Sequence, residues 1–439
     1  MKIEVKENTI VKPSKETPKH KLRSSNLDLL VPSIYVQTIY FYKPNGSKKF
    51  FDTHLLKEAL SNCLVVFYPV AGRLRRRDGG SKSSGFDVDC NGEGVLFVAA
   101  DYDGAIDDFG DFSPCLELQQ LIPTIGCSDE SFSFPLLLLQ VTYFKCGGVS
   151  LGVGFQHTLG DGMSALHFIN AWSGMTRGIS ITIPPFIDRS LLCNRHPPVP
   201  TYHHPEYSSP PSMKNPVHTK GRQTSPKHTS TAIIKISHDQ LNTLKVNLNG
   251  DKNLGRYTTY EILAAHIWRC ACIARGLADD QPTRLYIPTD GRSILHPPLP
   301  LGYFGNVLFS ITSQALSCDL RSQPLESAVG KIHNALSRMD DNYLRSTLDY
   351  LALQPDPTTL VRGAHTFNCP NLNVVSWIRL PIHDADFGWG RPIHMGPAGV
   401  PFEGLVYILP SPTEDGSLSL VMCLDADHME VFKIVFYDF

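Results

Sequence analysis

VSLGVGFQHTLGDGMSALHFINAWSGMTRG, Val149 to Gly178, changes its hydrophobic period part of the way along. Up to His157 it is a run of apolar residues and glycines that reads as a strand. From Gly162 the apolar residues recur at helical spacing, at Met163, Leu166, Ile169 and Trp172, with Gly178 as a stop. His157, Asp161 and Gly162 therefore fall in a strand-to-helix connection, where rigid elements on both sides position exposed side chains. Just upstream, LLLLQVTYF reads as a partner strand. The intervening Lys145-Cys146-Gly147-Gly148 suits a tight hairpin turn.

The same alternation of strand and helix continues downstream. Thr258-x-x-Glu261 is a capping-box pattern ahead of ILAAHIWRCACIAR, and Gly276 is its expected stop. RLYIPTD, YFGNVLF, NVVSWIRL and SLSLVMCL read as strands, without a regular βαβ rhythm. An α+β fold with a mixed sheet in each half is expected. The chain has 439 residues, more than the roughly 250 to 300 that one core supports, so two units are expected. Residues 196–231, dense in Pro, Ser, Thr and His, read as a crossover linker between an N-terminal domain 1–195 carrying HTLGDG and a C-terminal domain 232–439 carrying DFGWG.

Forty basic against 42 acidic residues give a net charge of −2, which provides no global field for nucleic acid or an anionic membrane. MKIEVKENTIVKPSKETPKHK lacks an apolar signal core, and FPLLLLQV is far shorter than the ~20 residues of a membrane span. Eleven scattered cysteines show neither a CxxC pair nor zinc-like spacing. The expectation is a cytoplasmic protein with no metal and no permanently bound cofactor.

Among 17 histidines, only His157 is followed four residues on by an Asp-Gly pair. A histidine of near-neutral pKa can take a proton from a hydroxyl or amine as that group attacks a carbonyl. The alternative is a satisfied histidine capping a strand end. Asp161 has two readings. It can be the orienting carboxylate of a triad, or it can pin the turn through an arginine while a backbone carbonyl orients the imidazole. Gly162, lacking Cβ, permits close approach by a substrate or by the chain itself. G-x-S-x-G, P-loop and H-E-x-x-H patterns are absent, which favours base-assisted direct transfer over a covalent intermediate. DADFGWGRP, Asp384 to Pro392, reads as a rigid structural loop with Phe387 and Trp389 in a core.

HTLGDG and DFGWG, in this order, resemble the two motifs of the plant BAHD acyltransferases. FYPVAGRL (Phe67–Leu74), CNGEGVLF (Cys90–Phe97) and YFGNV (Tyr303–Val307) resemble that family as well. SNLDLLVP, IPPFIDRSLL and LVRGAHTFNCPNL are similar to its hydroxycinnamoyl-CoA shikimate/quinate hydroxycinnamoyltransferase branch. The resemblance covers essentially the whole chain. It implies a monomer of two similarly sized domains of the chloramphenicol acetyltransferase-like type, with a channel between them. An acyl-CoA co-substrate enters from one face and a small-molecule acceptor from the other.

By the same resemblance His157 is the general base, Asp161 pairs with Arg292, and Asp386 supports the domain arrangement. Trp377 offers its indole N–H beside the oxyanion. Arg362 holds the acceptor's carboxylate, a task suited to a guanidinium fork. Two positions depart from the shikimate pattern: Tyr35 stands where histidine is usual and Val375 where threonine is usual. Both remove polar partners from the acceptor pocket, so quinate or a hydroxyphenyl-lactate-like acid stands beside shikimate. A neutral alcohol or amine acceptor, and a catalytically silent CoA-ester-binding homologue, are the remaining alternatives.

Overall fold

The computed structural model of the chain describes residues 3–77, 85–125, 134–214, 228–249 and 257–439. Its strands are β1 (Ile3–Val11), β2 (Lys21–Leu22), β3 (Tyr35–Tyr42), β4 (Arg73–Arg76), β5 (Phe86–Asp89), β6 (Val95–Tyr102), β7 (Leu137–Phe144), β8 (Val149–Gln156), β9 (Thr229–Ile236), β10 (Pro282–Asp290), β11 (Leu308–Leu316), β12 (Leu372–Ser376), β13 (His394–Pro397), β14 (Leu405–Pro410) and β15 (Leu418–Asp425). One six-stranded sheet has the order β1-β6-β7-β8-β3-β13 and a second the order β11-β10-β12-β14-β15-β9; β2, β5 and β4 make a small third. Both large sheets are mixed, with parallel pairs at β6/β7, β10/β12 and β12/β14.

The opening stretch folds as its periods dictate. β7 and β8 are an antiparallel hairpin with Gly147 at φ +81° in the turn. All eight β8 residues are buried, which is why apolar residues and glycines fill the run without strict alternation, with Ser150 and Gln156 as its buried polar members. Gly152 lets the chain cross the strand closely: a Cβ there would lie 2.0 Å from the Leu121 carbonyl oxygen. The helix Gly162–Thr176 follows, burying Leu166, Phe168, Ile169 and Trp172. Trp172 Nε1 donates to the Leu56 carbonyl (3.0 Å), fixing this helix against the helix Thr53–Val66. The helix Thr259–Ala274 starts with the expected capping box, Thr258 and Glu261, and Gly276 follows its end at φ +56°.

Three segments differ from their sequence reading. Of YFGNVLF only Leu308 and Phe309 belong to a strand, because the amides of Asn306 and Val307 donate to the buried carboxylates of Asp28 and Asp161 (3.0 Å each) instead of to a strand neighbour. The DFGWG segment lies in the C-terminal half of the chain but packs in the first domain. Phe387 sits edge-on to Trp172 (4.7 Å), the Tyr42 hydroxyl donates to the Ala385 carbonyl (2.8 Å), and β13 pairs with β3. Residues 196–214 of the linker form a strap fastened to the second unit. The amides of Thr201 and Tyr202 donate to Ser346 Oγ (2.9 and 3.0 Å), His204 bridges Ser346 and Glu206 (2.9 Å each), and Tyr207 stacks on Tyr350 (5.5 Å). Apart from the short 3-10 turn Pro205–Tyr207 the strap has no regular element, and its polar side chains hold it in place. Residues 215–227 of the linker lie outside the described residues.

Candidate active site

A cavity of about 300 Å³ opens between the two large sheets. Tyr35 and His157 of the first domain line it, with Ser310, Arg362 and Trp377 of the second. β8 and β3 deliver His157 to it: the His157 amide donates to the Ile34 carbonyl (2.9 Å), and its carbonyl accepts from Asn306 Nδ2 (2.9 Å). The backbone is thus anchored on both sides, and the ring faces the cavity. Burial pushes the imidazole pKa below its usual 6.5, against the opposing pull of the His157 and Gly160 carbonyls and of Asp161. The ring is therefore neutral near pH 7 with a lone pair to offer. Nδ1 itself is buried and makes no hydrogen bond.

Asp161 does not reach that ring with a hydrogen bond. Its carboxylate accepts from Arg292 Nη1 (2.8 Å) and Nη2 (2.9 Å), from the Ser164 amide (3.0 Å) and from the Val307 amide (3.0 Å). The Ser164 contact makes Asp161 the N-cap of the helix Gly162–Thr176. Burial would raise the Asp161 pKa, but Arg292 and the two amides more than offset it and hold the carboxyl below the ordinary range. For Arg292 burial lowers the pKa and Asp161 outweighs it. The contact with Arg292 is the arginine pin of the second reading; the backbone carbonyl which that reading placed on the imidazole makes no hydrogen bond to Nδ1, and the capping contact belonged to neither reading.

A second buried pair, missed from sequence, braces the same turn. Asp28, fully buried, accepts from Arg189 Nη1 (3.0 Å), from the Asn306 amide and Nδ2 (3.0 Å each) and from Ser25. Arg189 Nη2 donates to the Leu159 carbonyl (2.6 Å) and Asn306 Nδ2 to the His157 carbonyl. Both contacts fall on the HTLGDG turn, so Asp28 anchors the His157 backbone through two intermediaries. The available signal was a carboxylate inside the apolar run SNLDLL, which demands a buried partner.

The other expected residues divide between cavity and support. Trp377 is 8% exposed, lines the cavity and packs on Tyr407 (5.0 Å). Arg362 lies over the Tyr207 ring (5.1 Å) with Nη1 buried and unpaired. Val375 presents an apolar side chain to the cavity. The Tyr35 hydroxyl is already donated to the Pro135 carbonyl (2.6 Å), and burial raises its pKa to about 12. Asp386 lies outside the lining. It accepts from the Gly388 and Gly390 amides (2.8 and 3.0 Å) and faces Arg177 (3.8 Å), which ends the helix Gly162–Thr176 about 24 Å from Asp161 by helix rise.

Gly162 lines the cavity at the first turn of that helix. A Cβ there would meet only Leu380 Cδ1 at 3.5 Å, ordinary contact, so the protein itself does not require glycine. Gly162→Ala is accordingly expected to leave stability unchanged or raise it by up to the ~0.5 to 1 kcal/mol that alanine gains in a helix, seen as an unchanged or higher Tm, while lowering kcat/KM. Unaltered kinetics would show that the space beside Gly162 is not used by substrate.

Among the described residues no group of three His, Cys, Asp or Glu side chains could hold a metal, and no helix is long and apolar enough to cross a membrane. The Transferase family model matches residues 1–439. The shikimate O-hydroxycinnamoyltransferase of Nicotiana tabacum is 58% identical to this chain over 440 residues, with 100% of both chains covered. A hydroxycinnamoyl-CoA:5-hydroxyanthranilate N-hydroxycinnamoyltransferase of Avena sativa is 50% identical over 450 residues, again with 100% of both covered. Among solved structures, vinorine synthase superimposes with a TM-score of 0.74 at 21% identity, covering 98% of this chain and 96% of its own. That likeness bears on the fold.

Proposed function

The chain belongs to the BAHD transferase family, and from that membership we propose that it moves a hydroxycinnamoyl group, p-coumaroyl or caffeoyl, from its CoA thioester to a hydroxyl of a carboxylate-bearing acceptor such as shikimate or quinate. The observation that carries the mechanism is a neutral, backbone-anchored histidine in a cavity shared by both domains, beside an aspartate whose acceptor capacity is already taken. In this reading the His157 imidazole removes the acceptor's hydroxyl proton as the oxygen bonds to the thioester carbonyl carbon. The carbonyl electron pair moves to oxygen, where the Trp377 N–H offsets the charge. Collapse breaks the carbon–sulfur bond, and the departing thiolate takes the proton back from the imidazolium. The products are an ester and free CoA, and the acid–base balance of the enzyme is restored.

Arg362 binds the acceptor's carboxylate in this reading; a buried, unpaired Nη1 at the cavity supports the role. A second reading keeps the chemistry and changes the acceptor to a hydroxyphenyl-lactate-like acid or an aryl amine. It is favoured by the apolar Val375, the tied Tyr35 hydroxyl, and the presence of N-acyltransferases among the relatives. The enzyme acts as a monomer in the cytoplasm. Incubation of p-coumaroyl-CoA with shikimate, quinate, 4-hydroxyphenyllactate and 5-hydroxyanthranilate, read by mass spectrometry, tests the proposal. An ester of shikimate or quinate is the expected product. Tight acyl-CoA binding with no product from any of the four acceptors would identify a silent homologue and overturn the reading.

A further inference from the structure

Buried polar atoms without a partner are few in folded proteins, and each calls for a reason. Among the described residues lining the cavity, three carry one: His157 Nδ1, Arg362 Nη1 and Asn373 Oδ1. The first two belong to residues with proposed tasks. Asn373 has none.

Its position follows from strand alternation. The Asn373 amide donates to the Gly404 carbonyl (2.8 Å), and the residue is paired with Tyr286 on β10 and Leu405 on β14. Leu372 and Val374 enter the core of the second domain, so Asn373 and Val375 take the opposite, cavity face. At 7% exposure the side-chain amide has lost nearly all its water, which is costly unless a ligand group replaces it. Its neighbours along and across the strands on this face, Val375 and Leu405, are apolar, and none of the other polar residues lining the cavity, Gln37, Thr38, Gln119 and Ser310 among them, donates to its Oδ1.

We infer that Asn373 is a specificity-determining residue, reading a second polar group of the acceptor while Arg362 takes its carboxylate. A carboxamide both donates and accepts, so the group it fits best is a hydroxyl or an amine. The substrate class is a hydroxy or amino carboxylic acid whose recognised group is distinct from the hydroxyl under attack. This inference rests on the acyl-transfer reading above.

The test is steady-state kinetics of Asn373→Leu and Asn373→Ser with p-coumaroyl-CoA and three acids that share a carboxylate but differ in their other polar groups: shikimate, quinate and 4-hydroxyphenyllactate. For the acid that wild type prefers, Asn373→Leu is expected to raise KM by about 10-fold or more, the scale of one lost buried hydrogen bond. The ranking of the three acids should change, KM for p-coumaroyl-CoA should stay within about 2-fold, and Asn373→Ser should fall between wild type and the leucine variant. Arg362→Ala should instead penalise all three acids alike. Equal losses for every acid together with a raised KM for the thioester would make Asn373 structural, and no loss would remove it from recognition. Wild type inactive with these three acids and with 5-hydroxyanthranilate as well would overturn the acyl-transfer reading itself, a result distinct from either failure of the Asn373 variants.

Discussion

His157→Ala is expected to lower kcat by at least ~10²-fold, the lower scale of general-base catalysis, with a Tm close to that of wild type. The two halves of this expectation have separate causes. Among the described residues His157 Nδ1 has no hydrogen-bond partner, so removing the ring strands none there. What the fold needs from this residue is its backbone, through Ile34 and Asn306, and alanine keeps both contacts. Loss of a partly exposed ring at a cavity wall costs about 1 kcal/mol or less. The pH dependence gives an independent reading. Because burial depresses the imidazole pKa, the acid limb of kcat/KM in wild type should lie below pH 6.5, with activity rising as pH increases through it. In His157→Ala that limb should disappear from the residual activity. Near wild-type turnover, or an unchanged acid limb, would remove His157 from the mechanism.

What was legible from sequence had local causes. The β7–β8 hairpin, the strand-to-helix change at His157 and the capping box at Thr258 all follow from patterns within a few residues, and all three form as read. The site required contacts that no local pattern encodes. Arg292 lies 131 positions from Asp161, Arg189 lies 161 from Asp28 and Asn306 lies 278 from Asp28. The resemblance supplied the first of these pairs and was silent on the other two. β13 was overlooked because four residues, HMGP, are too short to show a period, and its partner β3 lies in the other half of the chain. YFGNV was misread because apolar content marks burial, not strand pairing, and buried carboxylates had claimed its amides. Asn373 sits inside a correctly read strand, yet only the cavity distinguishes its amide from any other polar residue on a sheet.

Asp161→Asn is expected to lower stability by about 3 kcal/mol, the lower range for breaking a buried ion pair, and to lower activity with it. The neutral amide keeps an acceptor for one or two of the four donors but turns an NH₂ toward the others, leaving the Arg292 guanidinium under-compensated in a buried place. Asp290, 3.0 Å from Arg292 Nη1, still neutralises part of that charge, which is why the loss stays at the lower end. The sign with pH is fixed by the depressed Asp161 pKa. In wild type this contribution is present above the ordinary carboxyl value of 3.8 and disappears as pH falls through the lower folded value, so the gap between wild type and variant should narrow in acid. Thermal unfolding across pH measures this, and a cycle with Arg292→Met locates its origin. If Asp161 works as a brace, the double variant should be no less stable than Asp161→Asn alone, because the uncompensated guanidinium is then gone. A variant that keeps the wild-type Tm yet loses kcat by ~10²-fold would instead assign Asp161 to the proton transfer itself. Four donors already aimed at one carboxylate argue for the brace: a group so fully engaged has little left to give His157 except its charge and the shape of the turn that carries it.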